Sequence, residues 1–248
     1  MEESNIDPFG FLLNYNKLYF KQKSRHSMWY QFFCPIELQF NVYDSNNNVI
    51  LKAKENEQSK SNLFFCNTKR SLKMSITTPW NDQEILKIKR NFHCFSKGFL
   101  GCCCIESCYQ DFNIFNGKDT TNAGNIIGRI REDFSCCVPK FTVFDEDSNP
   151  QFSIIGEFCN MCKSYHYTLG IYKYNEYNIL NDVEEVGTIY KDFSGFKECV
   201  SELDNYTLTF PPDSNGKQRI LFVACTIFID LMLYSSGSND KSSFANLQ

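Results

Sequence analysis

The chain has 248 residues, which is enough for one large domain or two small ones. A hydrophobic content of 42% supplies a core, while a formal net charge of −4 gives no overall attraction to nucleic acid, so no nucleic-acid partner is expected. The first residues, Met1 to Pro8, are acidic and lack a basic segment followed by an apolar one. We therefore expect no signal peptide and a body in the cytosol.

The N-terminal region holds a weak helical pattern over residues 5–20. It is followed by basic residues that interleave with aromatic ones: Lys17, Lys21, Lys23, Arg25 and His26 among Tyr19, Phe20, Trp29 and Tyr30. Basic residues near an anionic lipid surface are attracted to it, so this patch predicts either a lipid contact or a solvated face before the first strand.

The middle of the chain is built from short segments typical of β-strands. The 24 Phe and 13 Tyr favour strands. Segments with strand-like patterns are Phe40–Asp44, Ile85–Ile88, Phe112–Phe115, Phe141–Phe144, Tyr165–Tyr172 and Tyr206–Phe210. Short strands at regular spacing, with turn residues such as Ser45 to Asn48 between them, indicate a sandwich or a barrel.

A faint internal repeat joins these strands. Ile127–Phe134 resembles Val186–Phe193, and Met74–Ile88 resembles Phe141–Ile155. Phe40–Ile50 is similar to the strand–turn–strand part of the second pair. Repeated β units indicate one closed β structure of related halves, and closure also removes exposed strand edges.

Thirteen cysteines are many for a cytosolic chain. In the cytosol they serve as metal ligands, buried hydrophobic residues or modification sites. The densest group is Cys102, Cys103, Cys104 and Cys108. Three interpretations stay open: acylation, a buried structural role, or a zinc site that combines two of these thiols with Cys159 and Cys162.

The longest apolar run is Arg219–Tyr234, near the C-terminus. As a helix it is about 24 Å long, short of the roughly 30 Å core of a bilayer, and it contains Asp230, which is costly inside a membrane. A helix that is apolar all round is buried in lipid or in protein. A core helix would use these residues: Leu221, Cys225, Phe228 and Met232 on one side, and Phe222, Ile229 and Leu233 on another, with Asp230 near the helix end, either hydrogen-bonded or in contact with water.

Several segments together carry a resemblance to the phospholipid scramblase family. They are Cys137–Val143, Gly156–Cys162, Val186–Lys191, Asp204–Pro211 and Leu221–Tyr234. The resemblance implies a mainly β fold of the Tubby-like type, a closed twelve-stranded antiparallel barrel around a central hydrophobic helix at 219–234. It divides the chain into an N-terminal segment (1–27), the barrel domain (28–236) and a flexible tail (237–248).

The resemblance also implies a function. Members of the family move phospholipids between bilayer leaflets in a calcium-activated, ATP-independent manner, without covalent chemistry, so no enzyme activity is expected. The implied location is the cytosolic face of the plasma membrane. It would be reached through palmitoylated cysteines, Cys102, Cys103, Cys104 and Cys108, and, in the membrane interpretation, through the C-terminal helix. The alternative is a membrane-tethered module that binds lipid or protein without transport.

The calcium segment of the family falls on residues 202–213 of this chain. The ligands that the resemblance implies are Glu202, Asp204, the backbone of Tyr206 and Leu208, and Asp213. The loop lacks the glycine and the long carboxylate of an EF-hand, and Tyr206, Leu208 and Phe210 alternate as in a strand. A weak calcium site and a plain strand with a turn therefore both remain open.

Overall fold

The computed structural model describes residues 7–22, 38–56, 71–91, 109–117, 123–135, 138–157, 166–175, 184–192 and 205–233. A 3₁₀ helix, Gly10–Asn14, precedes the first strand, and a second, Ala123–Asn125, precedes the seventh. The strands are β1 (Lys17–Gln22), β2 (Gln39–Tyr43), β3 (Val49–Glu55), β4 (Leu72–Thr77), β5 (Glu84–Arg90), β6 (Asp111–Asn116), β7 (Ile126–Glu132), β8 (Lys140–Phe144), β9 (Pro150–Gly156), β10 (His166–Lys173), β11 (Glu185–Asp192) and β12 (Asn205–Thr209). They are followed by one α-helix, α1 (Gly216–Leu233).

The twelve strands form one closed antiparallel barrel. Each strand pairs with the next in the chain, and β12 pairs with β1. Side chains alternate as the strand period requires: Leu72, Met74 and Ile76 of β4 are buried inside, whereas Lys73 and Ser75 face outward. The prediction of a mainly β, closed twelve-stranded barrel is confirmed, and closure leaves no strand edge unpaired.

The barrel begins earlier in the chain than residue 28. Strand β1 pairs with β2 on one side and β12 on the other, although the predicted domain boundary placed it in an N-terminal segment. The helix predicted over residues 5–20 is wrong, because only Gly10–Asn14 is helical and it is a 3₁₀ turn. The alternation of buried Leu18 and Phe20 with exposed Lys17 and Lys21 has a period of two, which suits a strand.

The simple up-and-down order separates the barrel into two ends. The lower end contains the start of β1, the end of β12 and the start of α1, where Lys17 pairs with Thr209. The upper end contains the end of β1 and the start of β12, where Lys21 pairs with Asn205. Odd-numbered strands run from the lower end to the upper one, so successive connections alternate between the two ends.

The lower-end hairpins repeat one design. Asp44 Oδ1 accepts hydrogen bonds from the backbone N–H groups of Asn46 and Asn48, each at 2.8 Å. Asp145 Oδ1 accepts the corresponding bonds from Asp147 and Asn149, at 3.0 and 2.8 Å. The pairings β2–β3, β4–β5, β6–β7, β8–β9 and β10–β11 each shift register near this end. These shared features support the internal repeat predicted from the sequence.

Helix α1 lies inside the barrel. Its start is capped reciprocally, since Gln218 N–H donates to Asn215 Oδ1 at 2.9 Å and Asn215 N–H donates to Gln218 Oε1 at 3.0 Å. Its residues from 219 to 231 are all buried. The helix begins three residues before the predicted Arg219, and Gly216 is required there because a side-chain carbon would collide with the backbone of Phe9.

Aromatic contacts show that α1 meets strands on different parts of the barrel. The Phe228 ring centroid is 4.2 Å from that of Phe112 on β6 and 5.5 Å from that of Phe141 on β8. The Phe222 ring is 4.9 Å from that of Phe152 on β9. Between residues 219 and 231 the helix has no face toward water, which explains why this part of its sequence shows no amphipathic stripe.

Candidate functional site

Asp230 lies on α1 near the upper end and is only 2% exposed. Its Oδ1 accepts a hydrogen bond of 2.6 Å from the hydroxyl of Tyr206 on β12. Lys191 of β11 stands opposite Tyr206 in the ladder, with its Nζ 5.1 Å from the Tyr206 ring centroid. Thr226, one turn earlier on α1, donates its hydroxyl to the Phe222 carbonyl at 2.9 Å. Thr226 and Asp230, the two polar residues of the apolar part of α1 after Arg219, are therefore bonded inside the protein, as the core-helix interpretation predicts.

The upper end of the barrel interior carries further charged side chains. Glu55, Arg90, Glu132 and Lys191 lie at or near the upper ends of β3, β5, β7 and β11, and all are buried. Glu55 Oε2 accepts a bond from the Leu38 N–H, and Glu132 Oε2 accepts one from the Gln110 N–H, each at 3.3 Å. Buried charges persist only when they are paired or hydrogen-bonded. This end therefore forms a polar layer around the last turns of α1.

The lower end of α1 is held by Arg219, which is 5% exposed. Its Nη1 donates to the carbonyls of Leu12 and Tyr15 at 2.9 and 2.8 Å. Its Nε donates to Ser214 Oγ at 3.1 Å, and the Phe210 ring lies 5.0 Å from the guanidinium carbon. Burial lowers the pKa of Arg219. The arginine thus ties the start of α1 to the segment before β1.

Three of the residues predicted to bind calcium are described, and these three do not lie in one compact loop. Tyr206 and Leu208 lie within β12, where each is paired with β1 on one side and β11 on the other, and both side chains are buried. Asp213 is exposed at the lower end, in the turn before α1. Glu202 and Asp204 lie outside the described residues, and they precede the upper end of β12.

Strand β12 separates Asp213 from Glu202 and Asp204 along the chain. Five residues of β12 extend the chain by about 13 Å from one end to the other, so Asp213 is kept away from the segment that precedes Asn205. In the described ranges, no group of three His, Cys, Asp or Glu is placed to hold a metal ion. The described part of the predicted ligand set does not fit a single cation, and the calcium assignment stays a prediction.

The comparison with known proteins covers the whole of this architecture. A profile of the Scramblase family matches residues 12–236, from the first 3₁₀ helix to beyond α1. The chain belongs to the Scramblase family. The resemblance predicted from the sequence is thereby confirmed.

Individual relatives in the Scramblase family are distant. The chain is 25% identical over 162 residues to phospholipid scramblase 1 of Mus musculus, which is 64% of this chain and 44% of the relative. It is 27% identical over 165 residues to phospholipid scramblase 1 of Homo sapiens, 65% and 46% of the two chains. It is 21% identical over 221 residues to phospholipid scramblase 4 of Homo sapiens, 86% and 62%. The chain thus spans about half the length of these curated relatives. No solved structure gives a significant match.

The scramblase-type cysteines, Cys102, Cys103, Cys104 and Cys108, lie outside the described residues, as do Cys159 and Cys162. Acylation and the zinc alternative both stay predictions. The first group belongs to the connection that leaves β5 at Arg90 and enters β6 at Asp111, and both strands meet that connection at the upper end. Cys225 is described: it is a free thiol, fully buried on α1, and burial raises its pKa.

The predicted membrane contacts of this scramblase-family chain are placed in part. Within the described ranges, no helix is long and apolar enough to cross a bilayer. Leu221, Phe222, Cys225, Phe228 and Ile229 are buried inside the barrel, and Met232 is partly buried. Of the N-terminal basic patch, Lys17 and Lys21 lie on the outer surface of β1, whereas Phe20 between them is buried in the barrel. The other basic residues, Lys23, Arg25 and His26, are outside the described residues.

Sequence reasoning missed a basic outer face, which we name the cationic wall. Its members point outward from strands β3 to β7 and are Lys52, Lys54, Lys73, Lys87, Lys89, Arg129 and Arg131. The available signal is a period-two pattern of basic residues that recurs in three strands, as Lys-x-Lys at 52–54 and 87–89 and Arg-x-Arg at 129–131. Such a pattern places basic side chains on the same face of a strand.

Proposed function

We propose that this chain moves phospholipids between the two leaflets of a bilayer, in a calcium-dependent and ATP-independent manner, at the cytosolic face of the plasma membrane. The observation that carries the proposal is the family match over residues 12–236, which includes every strand of the barrel and α1. Relatives that match are named phospholipid scramblases. The proposed activity needs no covalent step and so no catalytic residue.

Membrane attachment is proposed to come from acyl chains on Cys102, Cys103, Cys104 and Cys108. A single acyl chain binds a membrane only marginally, so stable attachment requires two or more. The topology supports this role, because the connection that contains these cysteines joins β5 and β6 at the upper end of the barrel. Acylation there would hold the upper end close to the bilayer.

Calcium dependence is proposed to arise from the segment before β12 rather than from Asp213. Glu202 and Asp204 directly precede Asn205, and the next residue, Tyr206, is bonded to Asp230 of the central helix. A cation bound to Glu202 and Asp204 would act on the strand that holds the upper end of α1. Asp213 lies at the other end of the strand and would contribute little.

The lipid path is proposed to run along the outside of the barrel. The interior is filled by α1 and by side chains such as Phe112, Phe141 and Phe228, which pack against each other. A path along the barrel axis would require the helix to leave, which would expose most of the hydrophobic core to water.

The test is reconstitution of the full chain into vesicles that contain a fluorescent phospholipid, without ATP. We expect calcium to speed the transfer of the labelled lipid between leaflets, and a chelator to stop it. Glu202→Gln with Asp204→Asn should abolish the calcium response, whereas Asp213→Asn, a matched removal of negative charge, should leave it intact. Vesicles that bind the protein without any lipid transfer would contradict the proposal.

A second function is a membrane-tethered module that binds lipid or protein without transport. The filled barrel interior favours it, because the described structure contains no lipid-sized passage through its core. The same vesicle experiment separates the two, since this function predicts calcium-independent binding and no lipid transfer.

A further inference from the structure

Positive charge is distributed unevenly over the outer surface of the barrel. Strands β3 to β7 present the cationic wall, whose outward-facing acidic neighbours on the same strands are Glu84 and Asp111. Glu84 lies 3.1 Å from Lys87, and Asp82 in the adjoining turn lies 4.0 Å from Lys52. Asp133, just after β7, lies 3.5 Å from Arg131, which leaves the other wall residues to provide the excess of positive charge. Because the whole chain has a net charge of −4, this excess of positive charge is a local property of one face.

The strand register places like charges directly beside each other on this wall. Lys73 of β4 is opposite Lys89 of β5, Lys89 is opposite Asn113 of β6, and Asn113 is opposite Arg129 of β7. Like charges directly opposite each other on a sheet are destabilising. Juxtaposed cations of this kind are relieved when an anionic partner binds across them.

The far end of this row is held in position by an aromatic ring. Arg129 is opposite Phe144 in the ladder, and its guanidinium carbon lies 4.6 Å from the Phe144 ring centroid. The Arg131 guanidinium lies 5.2 Å from the same ring. Stacking fixes both guanidinium groups against the barrel surface, so they are presented outward at little further entropic cost.

The opposite side of the barrel provides an internal contrast. Outward-facing positions within β9, β10 and β12 include the uncharged residues Ile155, Thr168, Thr207 and Thr209, and an exposed lysine, Lys173, stands only where β10 ends. The two sides are built by the same strand alternation, so folding does not require basic residues on either. The charge difference therefore points to a partner for one side.

A large exposed aromatic residue adjoins the cationic wall. Trp80 lies in the turn between β4 and β5, the central strands of the wall, and is 59% exposed. Its ring packs edge-on against Phe11, with the centroids 5.5 Å apart. An indole with an apolar body and a polar N–H suits the headgroup region of a bilayer, where tryptophan is enriched.

We propose that the cationic wall is a docking surface for the anionic phospholipid headgroups of a membrane leaflet, with the barrel lying on its side and Trp80 entering the headgroup region. This inference rests on the membrane role proposed above but not on lipid transfer or calcium. It also agrees with the chain order, since the connection that contains Cys102 to Cys108 leaves and enters strands of this same wall.

The test uses the full, unacylated chain in a chelating buffer, so that neither acyl chains nor calcium contribute. Binding is measured by co-sedimentation with vesicles of phosphatidylcholine alone and of phosphatidylcholine mixed with an equal amount of phosphatidylserine. We expect binding to the mixed vesicles alone, and we expect it to weaken as salt screens the charges. Lys73→Gln with Lys89→Gln should lower the partition coefficient on the order of 30-fold, from the usual contribution of a basic residue at an anionic surface.

The matched control is Lys173→Gln with Lys217→Gln. These two exposed lysines lie on β10 and at the start of α1, away from the wall, and their loss changes the net charge by the same amount. The control should bind mixed vesicles like the unchanged chain. Equal losses in the two double variants would overturn the proposal, because net charge alone would then explain the binding. Circular dichroism would be used to check that both double variants are folded.

A second readout uses Trp80 itself. With Trp29→Phe, Trp80 is the remaining tryptophan, and its emission should move to shorter wavelength on addition of mixed vesicles. An unchanged spectrum in bound protein would contradict the side-on orientation. Absence of binding to mixed vesicles would overturn the proposal outright, as would Lys73- and Lys89-dependent binding to a DNA duplex in its place. Loss of lipid transfer with intact vesicle binding would count against the proposed function alone.

Discussion

The two ends of the central helix are held by different chemistry. At the lower end, Arg219 donates to backbone carbonyls of Leu12 and Tyr15, which are part of a 3₁₀ turn and its exit. At the upper end, Asp230 accepts from the side chain of Tyr206 within a layer of other buried ionisable groups. Backbone carbonyls do not titrate and are fixed by the chain, so the lower end is a permanent anchor. The upper attachment depends on side chains and on β12, which lies within the predicted calcium segment.

The largest effect is expected from the middle of α1, on which both ends depend. Phe228→Ala should destabilise the protein by about 3–5 kcal/mol, because it leaves a cavity between α1, β6 and β8. Chemical denaturation measures this change. Phe134→Ala is the control, since Phe134 is 56% exposed, and it should change stability little. Similar losses in the two variants would contradict a helix enclosed by the barrel.

The lower anchor is expected to matter next. Arg219→Met should cost about 3 kcal/mol, because it removes charged hydrogen bonds and leaves the Leu12 and Tyr15 carbonyls without this donor. Lys217→Met removes the same charge two residues earlier, where an exposed ion pair with Glu146 contributes roughly 0–1 kcal/mol. The measurement is the free energy of unfolding of each variant in the same denaturant. Equal costs would mean that charge, rather than the buried bonds, holds this end.

The upper attachment is expected to contribute less. Tyr206→Phe removes the hydroxyl bonded to Asp230 and should cost about 1–2 kcal/mol. Tyr19→Phe, on the outer side of the neighbouring strand, is the control and should be nearly neutral. Arg219 and Asp230 are about 16 Å apart along the helix, so the effects of Arg219→Met and Tyr206→Phe should add. If the loss of stability in the double variant differed markedly from the sum of the two single losses, the two ends of the helix would be energetically coupled.

The smallest effect is expected at a lower-end turn as the pH falls. Hydrogen bonds from Asn48 and Asn46 lower the pKa of Asp44, so its carboxylate stabilises the fold above the unfolded-state value, near 3.9. This contribution is lost as the pH falls through the lower folded value. Asp44→Asn should therefore flatten the acid limb of the stability profile relative to the unchanged chain. Exposed Asp147→Asn serves as the control, and an acid limb altered equally by both would refute the assignment.

Patterns within a single segment were predictable from the sequence. The strands from Phe40 onward follow from alternation, and the central helix follows from a run too apolar for a surface and too short for a span. Contacts between distant segments were not predictable in this way. Arg219 donates hydrogen bonds to Leu12 and Tyr15, which precede it by 207 and 204 positions in the chain. Local composition carries no signal for such a pairing, because the closure of the barrel creates it.

The start of the barrel and the cationic wall were missed for related reasons. The segment before β1 mixes a 3₁₀ turn with a strand, so its apolar residues imitate a helical spacing over residues 5–20. On the wall, each strand shows its own basic alternation, but register decides that Lys73 stands opposite Lys89. The described residues of the calcium set show the opposite problem: they are close in sequence, but Tyr206 and Leu208 lie within β12 and Asp213 lies beyond its lower end.

The enclosed thiol of Cys225 can report how often the barrel opens. Its raised pKa disfavours the reactive thiolate, and α1 surrounds it with the barrel, so a thiol reagent reaches it only while the helix is displaced. The rate at which a peptide containing residue 225 becomes labelled, followed by mass spectrometry, therefore reports how often the helix leaves. If phospholipids crossed through the interior, that rate would rise during transfer. If phospholipids pass along the outside, the rate of Cys225 labelling will not change when lipid transfer begins.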